Sequence, residues 1–145
     1  MKERQIKGMT VGFTGTRSGM SDKQKKEVID YLCDIADFNS IDAVLHGGCI
    51  GADQDFHEIC GGDVIREVYP GYSAKDKDSL VYRGTFEDAS IVHEPQTHFK
   101  RNRDIVDRCD ILIATPYNNV KRGGTWYTID YAKKTDKPVI ILTRE

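Results

Sequence analysis

The chain has 145 residues, with 21 Lys and Arg against 23 Asp and Glu, for a formal net charge of −2. That length accommodates one domain, residues 1–145, with a single core that needs no staples. The mildly acidic balance argues against a dedicated nucleic-acid binder, whose footprint is broadly basic. The charged start Met1-Lys2-Glu3-Arg4-Gln5 runs into only a short apolar stretch, so neither a signal peptide nor a membrane span is expected, and a cytoplasmic protein follows as the expectation.

Met9 to Phe13 is a short β-prone run. Ser21-Asp22 starts a helix over Lys23 to about Phe38, with Val28, Leu32 and Ile35 at helical spacing and Ile29, Tyr31 and Ala36 widening the stripe. Ala43 to Leu45 reads as the second strand. Gly51 to Cys60 reads as a short helix stopped by Gly61-Gly62, and Val64 to Tyr69 as a third strand ended by Pro70-Gly71. Tyr72 to Pro95, with the polar run Lys75-Asp76-Lys77-Asp78, reads as a surface excursion holding at most one helical turn. A helix then runs from Gln96 to Cys109, strand Ile111 to Ala114 follows, Thr125 to Lys134 is helical, and Pro138 to Leu142 is a last strand. Continuous apolarity in the late strands suits a sheet covered on both faces. The alternation predicts an α/β fold, a three-layer Rossmann-like sandwich around a mainly parallel sheet of about five strands.

Three glycine-bearing loops each follow such a strand: Gly15-Thr16-Arg17-Ser18, Gly47-Gly48-Cys49-Ile50-Gly51-Ala52-Asp53, and Arg122-Gly123-Gly124-Thr125. Parallel strands bring these loops to one carboxyl edge, where open α/β sheets bind ligands. Glycines let backbone amides approach a phosphate, helix starts contribute positive potential, and a guanidinium binds two oxygens at once. Arg17 is a candidate for that last role, beside the hydroxyls of Thr16 and Ser18. Asp53 either caps the second helix or holds a ribose hydroxyl or a reacting water. Trp126 and Tyr117 are candidates to stack on a base, or are packing residues.

Cys33, Cys49, Cys60 and Cys109 are widely spaced, with no Cys-x-x-Cys pair, so reduced thiols are expected. His46-x-x-Cys49 and His57-x-x-Cys60 offer zinc-type ligands, but the first pair spans a glycine loop instead of a closed site, and no metal is expected.

Taken in order, Val11-Gly12-Phe13-Thr14-Gly15-Thr16-Arg17, His46-Gly47-Gly48-Cys49-Ile50-Gly51-Ala52-Asp53, Arg101-Asn102 ahead of Asp110-Ile111-Leu112-Ile113-Ala114, and Gly123-Gly124-Thr125 before a helix ending at Ala132 resemble the SLOG superfamily. That superfamily includes the Lonely Guy phosphoribohydrolases, DNA-processing protein A, and small bacterial and phage members. The resemblance implies a Rossmann-like domain that binds a nucleotide or nucleotide derivative, that carries no other cofactor, and that assembles as a dimer or larger homo-oligomer. It also brings Arg101 and Asn102 into the expected ligand set with Gly15, Thr16, Arg17, Ser18, Gly47, Gly48, Cys49, Gly51, Asp53, Gly123, Gly124, Thr125 and Trp126. The Lonely Guy enzymes carry a glutamate shortly after the last Gly-Thr; Thr128 stands at that position here, and Asp53 and Asp130 are the remaining acidic candidates. Cleavage of a glycosidic bond needs a placed carboxylate. Binding of a signalling nucleotide as sensor, carrier or sequestering protein is therefore the expectation. A nucleotide N-glycosidase and, from the basic run Lys100 to Arg103, a single-stranded DNA binder are the alternatives.

Overall fold

The computed structural model describes residues 8–38, 40–75 and 86–144. The charged start Met1 to Gln5 and the Asp76-Lys77-Asp78 part of the polar run lie outside the described residues. Strand β1 (Gly8–Gly15), helix α1 (Asp22–Phe38), strand β2 (Ser40–His46), helix α2 (Ala52–Cys60) and strand β3 (Ile65–Val68) form the first half. The second contains the short strands β4 (Gly71–Tyr72), β5 (Ile91–Val92) and β6 (Gln96–Thr97), then helix α3 (His98–Arg108), strand β7 (Ile111–Thr115), helix α4 (Gly124–Lys134) and strand β8 (Val139–Ile141).

Six strands make one sheet in the order β5-β3-β2-β1-β7-β8, every neighbouring pair parallel. The strand beyond the expected five is β5, which pairs Ile91 with Glu67 and Val92 with Val68. Two residues are too few to display an alternation, so this strand exists only through its partner. The excursion also holds one side of a second, two-stranded parallel pair, β4 with β6.

Alternation along the central strands divides the core between two faces. Val11, Phe13, Val44 and Ile113 pack with Val28 of α1 and Phe56 of α2, where Phe13 and Phe56 stack with ring centroids 4.3 Å apart. Leu45 and Leu112, one residue out of phase, pack with Ile105 and Val106 of α3 and Ala132 of α4. Helices on both faces of a parallel sheet complete the three layers. Burying each of these large side chains contributes about 1.5–3 kcal/mol. The stripe on α1 is narrower than its sequence suggests: Val28 is buried and Leu32 and Ile35 pack at the edge, but Ile29, Tyr31 and Ala36 are exposed. All four cysteines are free thiols. No described helix is long and apolar enough to cross a membrane.

Two contacts fix the loops at the carboxyl edge. Ser21 and Gln24 form a reciprocal cap, Ser21 Oγ accepting from Gln24 N–H at 3.1 Å and Gln24 Oε1 accepting from Ser21 N–H at 2.9 Å. The fully buried Gln24 amide then donates to Pro116 O at 3.0 Å and Leu142 O at 2.9 Å, tying α1 to the ends of β7 and β8. Gly51 joins the first two loops: at φ +89° a Cβ there would stand 2.2 Å from Arg17 O, while Ala52 N–H donates to Thr16 O at 3.0 Å.

Gln24→Ala is expected to cost about 2–4 kcal/mol in urea denaturation, because two buried carbonyls lose their donor, whereas Ser21→Ala costs about 1 kcal/mol. Gly51→Ala is expected to destabilise by about 2 kcal/mol or more, combining left-handed strain with a clash against backbone that no rotamer relieves; thermal denaturation monitored by circular dichroism reads this loss.

Candidate functional site

The chain adds β5 beside β3 and then returns to the sheet on the far side of β1, so the strand order reverses between β1 and β7. A crevice at the carboxyl ends of the strands is expected at such a reversal, and a cavity of about 440 Å³ occupies it. That volume falls within the range of about 300–1,000 Å³ that holds small organic ligands. Thr14 to Arg17 from the first loop, Gly47, Cys49 and Asp53 from the second, His98 to Asn102 of α3 except Lys100, and residues from Pro116 to Trp126 line it. The three loops thus meet on one rim. Of the expected site residues, Gly15, Thr16, Arg17, Gly47, Cys49, Asp53, Arg101, Asn102, Gly123, Gly124, Thr125 and Trp126 line the cavity, while Ser18, Gly48 and Gly51 do not.

The second loop does not present its amides to the cavity in the way its glycines suggest. The N–H group of Cys49 donates to the Asp53 carboxylate at 3.1 Å. Gly48 N–H donates to His46 Nδ1 at 3.0 Å, and Gly51 N–H to Gln54 Oε1 at 3.2 Å. Gly48, at φ +68°, is needed because a Cβ would meet Val68 at 2.5 Å. Gly48 and Gly51 therefore serve backbone geometry and close packing behind the cavity wall. Ser18 is exposed, with its N–H on Thr16 Oγ1.

Arg101 takes a different place from the one a phosphate fork would need. Its buried guanidinium donates through Nη1 to Gly47 O at 2.7 Å and Tyr69 O at 3.0 Å, through Nε to Asn102 Oδ1 at 2.7 Å, and through Nη2 to His98 Nδ1 at 3.1 Å and Cys49 Sγ at 3.8 Å. A guanidinium has five N–H donors, and these five partners engage all of them. Its charge still reaches the cavity. Burial pushes the Asp53 carboxyl above its ordinary range, with Arg101 and the Cys49 amide opposing the shift. Burial likewise pushes the Cys49 thiol up to about 11, reinforced by Asp53, so it is protonated at neutral pH and is a poor nucleophile. His98 is held below the usual imidazole range by burial and by Arg101 and Arg17.

At the opposite wall, α4 begins after Gly123 at φ +93°, and no side chain caps its first turn. The first amides of a helix lack intrahelical acceptors and carry the positive end of its dipole. Gly123, Gly124, Thr125 and Trp126 all border the cavity, so an anion there would meet that turn. Trp126 is nearly buried, its indole N–H on Asn118 O at 3.0 Å and Lys121 Nζ 6.0 Å from its ring centre. Arg144 similarly covers Tyr117 at 4.9 Å. Each ring thus has a cation over one face already. Phe99, as exposed as Tyr117 and also bordering the cavity, lies against the Tyr127 ring with centroids 4.5 Å apart.

The acidic candidates separate clearly. Thr128 is buried and its hydroxyl donates to Gly124 O at 2.8 Å, inside its own helix. Asp130 is exposed and does not line the cavity. Asp53 is the sole carboxylate of the lining among the described residues, which also includes Arg17, Arg101 and Arg122. Among the described residues, no three metal-ligating side chains cluster; His46 and His57 instead meet directly, Nε2 to Nδ1, at 2.8 Å. Sequence reasoning missed His98 and Phe99 as cavity residues. The helical offsets were available: His98 lies three residues before Arg101, and Phe99 three before Asn102.

No family model matches the chain, and neither does any curated protein. Among solved structures the fold is similar to that of a molybdenum cofactor binding protein from the phototrophic bacterium Rippkaea orientalis, with a TM-score of 0.64 over 97% of this chain and 80% of the other, at 18% identity. At that identity the likeness establishes a shared architecture.

Proposed function

We propose that this protein is a SLOG-type binding protein that holds a phosphate-bearing, nucleotide-derived small molecule in the rim cavity and acts by binding it, as a sensor, carrier or sequestering protein. The carrying observation is electrostatic. Arg17, Arg101 and Arg122 surround a cavity whose described lining has one carboxylate, and the uncapped start of α4 borders the same space. Such a site favours an anion with several oxygens. Its roles divide among the arginines: Arg101 holds the wall in shape and supplies field, while the exposed Arg17 and Arg122 supply contacts at the mouth. The similar protein of Rippkaea orientalis is described as binding a molybdenum cofactor, which supports a small-molecule carrier role for this architecture.

Binding is favoured over turnover by the fate of the acidic positions. The glycosidase glutamate position is Thr128, turned into its helix, and the Asp53 carboxylate is engaged with the amide of Cys49.

Calorimetric titration with AMP and GMP, with inorganic phosphate and oligothymidine as controls, tests this reading. A nucleotide is expected to bind, and Arg17→Ala or Arg122→Ala to weaken it by about tenfold or more, since a charged hydrogen bond contributes roughly 1.5–3 kcal/mol. The exposed Arg122→Ala change should alter unfolding free energy by only about 0.5 kcal/mol. Arg101→Ala, by contrast, is expected to lower stability by about 2 kcal/mol or more without any ligand, because Gly47 O and Tyr69 O lose their donor. Absence of nucleotide binding, or affinity unchanged in both exposed variants, would overturn the proposal; binding only to oligothymidine, weakening steeply with salt, would point to a nucleic-acid function.

A further inference from the structure

We infer that His46, His57 and Asp88 form a hydrogen-bonded relay that positions the second loop and carries a protonation event at the molecular surface to the amide of Gly48. The inference extends the proposed binding role, because that loop forms one wall of the cavity.

The hydrogen bonds run in one direction. Gly48 N–H donates to His46 Nδ1, so that nitrogen carries no proton and the neutral ring must be protonated at Nε2. His46 Nε2–H then donates to His57 Nδ1 at 2.8 Å, which places the His57 proton on Nε2, facing Asp88 Oδ1 at 2.8 Å. The outer end is wet and the inner end is dry: the Asp88 side chain is 68% exposed, whereas His46 is fully buried. Burial, with the neighbouring His57, Arg101 and Arg66, holds the His46 imidazole down to about 3, so it relays without becoming charged.

Protonating His57 is incompatible with this arrangement. Its Nδ1 would then carry a hydrogen directed at the hydrogen on His46 Nε2. The conflict is relieved when His46 moves its proton to Nδ1 and accepts through Nε2, but Nδ1–H then faces Gly48 N–H. One hydrogen bond of the loop is lost for each proton taken up. Around His57, the described charged and titratable groups from packed elements are His46 at the end of β2, Arg66 of β3, whose Nη1 donates to His57 O at 3.2 Å, and Asp88 before β5. Phe86 supplies an apolar wall against both imidazoles, with centroids 4.9 Å away in each case. Arg66 Nη2 also holds Asp88 Oδ2 at 3.1 Å, fixing the carboxylate in place.

Nitrogen-15 NMR of the intact protein reads the relay without any ligand. At about pH 7.5 His46 should be the Nε2–H tautomer, and the Gly48 amide resonance should shift when the sample is acidified to about pH 5.5. His57→Asn places an untitratable acceptor near the Nδ1 position and should abolish that shift; Asp88→Asn, at an exposed carboxylate, should move its midpoint to lower pH. A parallel AMP titration is expected to show affinity falling by about fivefold or more between those pH values in the wild type and not in His57→Asn. An Nδ1–H tautomer of His46 at about pH 7.5, or a Gly48 shift identical in the wild type and His57→Asn, overturns the relay. A normal Gly48 titration with no AMP binding would retain the relay and remove the nucleotide reading.

Discussion

The site depends on one buried cation. Arg101 is rooted in α3, yet its guanidinium holds a carbonyl from the β2–α2 loop, a carbonyl at the end of β3, a thiol and an imidazole, as well as the neighbouring asparagine. An arginine so deeply buried is tolerated only when its donors are satisfied. Its five partners satisfy them while pinning separate segments to one point. The positive charge it leaves at the cavity wall is a by-product of that packing. Asp53, buried nearby, accepts from the Cys49 amide of the same loop and does not neutralise the guanidinium by direct contact. The wall is thereby rigid and electropositive together.

A division of labour among glycines follows from the same constraint. A loop tethered from both sides has little room for side chains, and Gly48 and Gly51 answer this where Val68 and the Arg17 carbonyl come close. Their amides are turned to His46 and Gln54, so the second loop acts as scaffold. The start of α4 is different. No side chain caps it, and it borders the cavity opposite the Arg101 wall. In the proposed reading, anion attraction on this rim therefore rests on a helix start and on arginines more than on a cradle of amides from all three turns.

The histidines illustrate how the same residue types serve other chemistry when geometry changes. Ligands of a tetrahedral zinc at about 2.0–2.1 Å stand roughly 3.3 Å apart, whereas His46 and His57 approach to 2.8 Å along a hydrogen bond. Their closeness links a buried loop to a solvent-facing carboxylate. Phe86 lies against both rings.

Periodicity and loop chemistry in the sequence determined the layered α/β architecture, the parallel central strands and the meeting of three loops on one edge, because long apolar runs and their spacing are local properties. They also marked most of the cavity lining, from Gly15 to Arg17 and from Gly123 to Trp126. Only the tertiary structure decided where each donor points: that Arg101 is engaged inward, that Gly48 and Gly51 lie behind the wall, that Thr128 and Asp130 face away from the cavity, and that Ile29 and Tyr31 are exposed. Two-residue strands such as β5 carry no pattern of their own, and a hydrogen bond between residues 54 positions apart, as from Arg101 to Gly47, leaves no local trace. Direction and partnership of polar groups are settled by packing, after the elements that carry them have already formed.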